Sequence, residues 1–118
     1  MCMNKNLENN SINHYQRKVD QWINKFEEGY WSPLAQLAAL VEEIGELAKI
    51  INHHEKIKPL KPNEVEYENF QALEIEFGDV FFSLICLANS FNVKLGEAIE
   101  KTLSKFDERD IDRWSLKK

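Results

Sequence analysis

The chain has 118 residues, 43% of them hydrophobic and 30% charged, with a net charge of −5. That length predicts a single domain over residues 1–118, large enough for a real core but small enough to gain from a partner subunit. The acidic balance repels nucleic-acid backbones and argues against a nucleic acid polymer as partner, although a bound cation can invert the sign locally.

Cys2 and Cys86 are too few for a disulfide framework. Cys86 lies in the apolar run from Val80 to Ala88, which is too short to span a bilayer. The opening Met-Cys-Met-Asn-Lys-Asn lacks the apolar centre of a signal peptide. The expectation is a reduced, cytoplasmic protein with no membrane partner.

With four glycines, three prolines and almost no alternating apolar pattern, the predicted fold is all-α, a helical bundle of four to five helices. A first helix is expected from about Ser11 to Glu28, with Tyr15, Val19, Trp22, Ile23 and Phe26 on its inner face and Gly29 ending it. Ser32-Pro33 then supplies a hydroxyl cap followed by proline at the first helical position. The second helix carries Leu34, Leu37, Val41, Ile44, Ala48 and Ile51 at spacings of three and four.

Pro59 and Pro62 mark the next break, and Asn63 with Glu66 resembles a capping box opening a third helix. Its stripe is Phe70, Leu73, Phe77, Val80, Leu84, Leu87 and Phe91. Beyond Asp79 the helix is apolar nearly all round and needs cover on several sides, which points to a homo-oligomer. Asn89 to Asn92 interrupt the pattern, and a last helix runs from about Leu95 toward Asp110.

The second and third helices each carry an acid-apolar-glycine-acid tetrad, Glu43-Ile44-Gly45-Glu46 and Glu76-Phe77-Gly78-Asp79. Residues three apart share a helix face, so each tetrad presents paired carboxylates. Glycine inside a helix costs about 1 kcal/mol against alanine, which suggests close approach of a backbone or ligand at Gly45 and Gly78. If the helices fold back antiparallel about the Pro59–Pro62 turn, each tetrad sits about 16 residues from the turn and roughly 24 Å along. Glu43 then comes level with Asp79, and Glu46 with Glu76. Four anions so placed either point outward as ordinary solvated faces or enclose a hard cation. All-oxygen ligation suits Mg²⁺, with Mn²⁺ as a substitute. Glu42 adds a fifth acid that can bind a second ion or orient a water.

These residues, with Glu42 at their head, resemble the EExxE…ExxD signature of the MazG-like nucleotide pyrophosphohydrolases, the two halves here being separated by 29 residues. The likeness covers about residues 15 to 114. It includes Gly29-Tyr30-Trp31-Ser32-Pro33-Leu34, Gly78-Asp79-Val80-Phe81, Cys86-Leu87-Ala88-Asn89-Ser90, Lys105-Phe106, Arg109-Asp110 and Asp112-Arg113-Trp114. The resemblance implies an all-α NTP pyrophosphatase fold, Mg²⁺ dependence, and cleavage of a nucleoside triphosphate between its α and β phosphates. It also implies a homodimer or homotetramer. By position, Glu43, Glu46, Glu76 and Asp79 match the family's metal ligands. Glu42, the first acid of the motif, is a catalytic candidate together with Glu43.

Lys101, Lys105, Arg109 and Arg113 form a basic row, of which Lys105 and Arg109 are the candidates for gripping phosphate. The bland alternative is surface pairing, such as Lys105 with Glu108. Asn89 is a candidate for hydrogen-bonding substrate or for capping its helix. Trp31, with Tyr30, either stacks on a base or packs at the helix start. His53-His54 suits the negative end of a helix dipole. No histidine follows a cluster glutamate by three, so the Glu-x-x-His of a di-iron oxidase is missing. The remaining rival is a non-catalytic helical module that binds nucleotides or partners on the same fold.

Overall fold

The structure is a computed structural model that describes residues 11–55 and 70–118. Among them are four helices and no strand: α1 (Ile12–Ile23), α2 (Pro33–His54), α3 (Phe70–Ser90) and α4 (Leu95–Asp110). The expected Pro59–Pro62 turn and the Asn63 capping box lie outside the described residues.

Local chemistry explains each boundary. Ser11 caps α1 by accepting from the His14 N–H at 3.1 Å. That helix stops at Ile23, five residues before the expected end. The chain tightens there into i→i+3 turns, Lys25 N–H to Trp22 O and Phe26 N–H to Ile23 O, both at 3.2 Å. Gly29, with φ +58°, closes this run in the left-handed conformation that glycine tolerates. Ser32 caps α2 through the Ala35 N–H at 3.3 Å, with Pro33 in the first turn. At the end of α3, Asn92 takes φ 55° and the Val93 N–H reaches back to Ala88 O at 2.9 Å. This is the six-to-one closure of a Schellman-type stop.

The principal packing is α2 against α3. Gln36, early in α2, donates to Ser90 Oγ at the end of α3. Further along α2, Glu43 meets Glu76 and Asp79 from earlier in α3. The pair therefore runs antiparallel. The face of α2 turned inward is Gln36, Leu40, Glu43, Leu47 and Ile50, all buried or half-buried. α1 packs on α3 through Trp22, whose indole meets the Phe82 ring edge-on at 5.9 Å, and α4 packs on α1.

The apolar stripe of α2 therefore points elsewhere than expected, and that of α3 enters the seam only in part. Leu34, Val41 and Ile44 of α2 are 78%, 59% and 48% exposed, and Phe77 of α3 is 54% exposed. Leu73, Val80 and Leu87 are half-buried in the seam. Only Ile50, Ile85, Cys86 and Ala88 are buried apolar residues among those described. One antiparallel neighbour covers one strip of a helix, and two helices that are apolar on further sides leave the rest open.

Candidate metal centre

Heptad spacing of the seam residues turns Glu43 of α2 and Glu76 of α3 toward each other. Both are half-buried, and Asp79, one turn beyond Glu76, is exposed at the edge. One carboxylate oxygen from each of the three lies within 4.8 Å of the others. An octahedral Mg²⁺ sets its ligand oxygens about 2.9 Å apart in cis and about 4.2 Å in trans. Carboxylate rotamer changes that draw these oxygens together by up to about 2 Å close that difference. The donor set, three hard oxygens and no thiolate or imidazole, fits such an ion.

Electrostatics records the crowding. The Glu76 carboxyl is raised above its ordinary value, first by burial and then by the charges of Asp79, Glu43 and Glu46. Glu46 is exposed and outside the close trio, yet near enough for its charge to act on Glu76. Glu42 is exposed on the outer side of the seam. Around Gly45 and Gly78 an added Cβ meets nothing within 4 Å, so among the described residues no segment makes the close approach expected there.

The candidate substrate contacts fall in three places. Trp31 is 64% exposed at the start of α2, where its carbonyl accepts from Gln36 Nε2 at 2.6 Å. Asn89 is held internally: its Nδ2 donates to Gln16 O and to Tyr30 Oη, both at 3.0 Å, and its Oδ1 accepts from Gln16 Nε2 at 3.0 Å. Both amide hydrogens thus have acceptors within the chain. Lys105 Nζ and the Arg109 guanidinium each lie 5.0 Å from the Phe106 ring centre, and Arg109 also grips Asp110 at 3.0 Å. These two residues sit on α4, whose main packing is on α1.

Three residues organise this region: Tyr30, expected only as a stacking or packing ring, and Gln16 and Gln36, which sequence reasoning passed over. Tyr30 donates to Asp20 Oδ1 at 2.8 Å while accepting from Asn89. Burial is the main cause that pushes its phenol up to about 12. Gln16, buried in α1, ties α1 to α3 and α4. Gln36 is buried in the seam. Glutamine has no distinctive spacing, so only the fold shows these roles.

Comparison with known proteins identifies the family. The MazG nucleotide pyrophosphohydrolase domain matches residues 31–114. The uncharacterised protein YpjD of Bacillus subtilis (strain 168) is 44% identical over 111 residues, covering 94% of this chain and 96% of that protein. The YpjD crystal structure from Bacillus subtilis superposes with a TM-score of 0.73 at 41% identity, covering 91% of this chain and 99% of the other. The crystal structure of the Bacillus-conserved MazG protein, a nucleotide pyrophosphohydrolase, gives a TM-score of 0.70 at 41% identity over 86% and 95%. Sequence, fold and acidic seam converge: this chain belongs to the MazG nucleotide pyrophosphohydrolase family and is a hydrolase.

Proposed function

We propose that the chain hydrolyses nucleoside triphosphates, ribo or deoxy, between the α and β phosphates to give the nucleoside monophosphate and pyrophosphate, with Mg²⁺ as cofactor and Mn²⁺ as substitute. The observation that carries this reading is the convergence of Glu43, Glu76 and Asp79 within 4.8 Å in a nucleotide pyrophosphohydrolase domain. When bound, the cation supplies charge neutralisation at phosphate oxygens and a more acidic water. Glu43, Glu76 and Asp79 hold it, and Glu46 joins them from the next turn of α2. Burial, and then mutual repulsion, raise the Glu76 carboxyl and so favour a bound dication at this site.

Glu42 and Glu43 orient the attacking water and accept its proton. Lys105 and Arg109 steady the departing pyrophosphate, and Trp31 contacts the nucleoside. Asn89 serves the site by fixing Tyr30 rather than through a free donor. The whole chain works as one domain in the cytoplasm, as a homodimer or homotetramer that covers the apolar faces of α2 and α3. Among the described residues no helix is long and apolar enough to cross a membrane.

The test is pyrophosphate release from a panel of NTPs and dNTPs with Mg²⁺ and with EDTA. Release only with the cation, and its loss in Glu43→Gln and Asp79→Asn, is the expected result. Variants that match the parent rate would overturn the assignment.

A further inference from the structure

Along the seam from the carboxylates, one turn before Glu43 and one turn after Asp79, lies a pocket of about 440 Å³. Ala39 and Gln36 wall it from α2 and Phe82 and Ser83 from α3, while Trp22 and Trp31 flank it. Its size is that of a small-molecule site, and flat aromatic walls suit a flat ring. A triphosphate held at the carboxylates would extend its nucleoside toward this pocket.

One polar group in the wall is incomplete. Gln36 is 5% exposed, and its Nε2 donates to Trp31 O at 2.6 Å and to Ser90 Oγ at 2.7 Å. The Ser90 hydroxyl itself donates to Cys86 O at 3.0 Å, so it can only accept from Gln36. Flipping the amide would set its oxygen against the Trp31 carbonyl, and the orientation is therefore fixed. Gln36 Oε1 is left buried with no partner, the only such side-chain oxygen among the described residues.

We propose that this pocket is the nucleobase subsite and that Gln36 Oε1 accepts a hydrogen bond from an exocyclic amino group. Cytosine and adenine nucleotides are then preferred over uracil and hypoxanthine ones, which place a carbonyl at the same position, acceptor against acceptor. The inference rests on the nucleotide reading above. As the pocket stands, Oε1 is closed to solvent, so the base reaches it by displacing one of the exposed rings at the mouth, Trp31 or Phe82.

Two measurements on the full chain test it. The first is kcat/KM with Mg²⁺ for CTP against UTP and for ATP against ITP. The parent should favour the amino base at least about tenfold in each pair, and Gln36→Met should bring both ratios toward one. The second is saturation-transfer NMR with cytidine and uridine in EDTA, which needs neither metal nor turnover. Cytidine should give the stronger signal in the parent. Because Gln36→Met also removes two hydrogen bonds, Ala39→Phe provides a second variant that keeps the amide and fills the pocket. It should lose the cytidine signal while still binding Mn²⁺. Hydrolysis without amino selectivity, selectivity that survives Gln36→Met, or a cytidine signal that survives Ala39→Phe would overturn the base subsite and leave the hydrolase reading intact. Cytidine selectivity in a chain that cleaves no nucleotide would support the subsite and sink the pyrophosphohydrolase reading.

Discussion

Glu76 is the residue where burial and like charge meet. Its folded-state carboxyl titrates above the ordinary value, so the native chain binds this proton more tightly than the unfolded chain. The associated stability is present in full below the ordinary carboxyl pKa and is lost as pH rises through the raised one. At neutral pH without metal, ionised Glu76 is thus a liability that a dication removes. Glu76→Gln should leave the metal-free protein at pH 7.5 as stable as the parent or more so. It should also abolish most of the Mg²⁺-induced rise in Tm and cut pyrophosphate release at least about 100-fold. Differential scanning calorimetry in EDTA and in Mg²⁺ checks the first pair of outcomes. Tyr30 gives a second pH test. Its phenol, pushed up to about 12, contributes stability that is complete below about pH 10 and fades between pH 10 and 12. Tyr30→Phe should therefore show a shallower fall of urea midpoint across that window than the parent. Of these two residues the sequence exposed only Glu76, because ExxD on an apolar-striped helix is a pattern. The Tyr30 network joins Asp20 and Asn89, residues 10 and 59 positions away, and no local spacing announces it.

At the scale of elements, α4 begins without a cap of its own, since Lys94 makes no side-chain cap bond. Gln16 of α1 supplies it from across the fold: its Oε1 accepts from the Leu95 N–H at 2.9 Å while its Nε2 donates to Val93 O at 2.8 Å. Gln16→Leu should remove both bonds to these part-buried backbone groups and cost about 1–3 kcal/mol in urea unfolding. Helix positions were legible because caps are local. Ser11, Ser32 and the break at Asn92 stand where the sequence places them. The end of α1 was not, because turns from Asn24 to Gly29 retain helix-like composition while their hydrogen bonds shorten to i→i+3. The antiparallel approach that brings Glu43 to Glu76 and Asp79 was legible too, from the symmetry of the two tetrads about the proline pair. Which helix face enters the seam was not. Gln36 and Glu43 lie inside while Val41 and Ile44 lie outside, the reverse of what hydropathy suggests.

For the whole molecule, that reversal is what supports the proposed partner subunit. Val41 at 59% and Phe77 at 54% exposure mark apolar faces on α2 and α3 that the described residues leave open. Contiguous apolar patches of this kind mark interaction surfaces. A homo-oligomer that closes them predicts that Val41→Glu shifts the species seen by analytical ultracentrifugation toward monomer and lowers Tm by several degrees. An unchanged sedimentation coefficient would remove the face from the interface. The central claim is narrower: α2 and α3 hold a divalent cation between Glu43, Glu76 and Asp79. Its most direct test is an anomalous difference map from crystals soaked in Mn²⁺. The account predicts a peak at roughly 2.1 Å from oxygens of these three side chains, with Glu46 drawn toward it. Carboxylates splayed into solvent with no peak between them would contradict it.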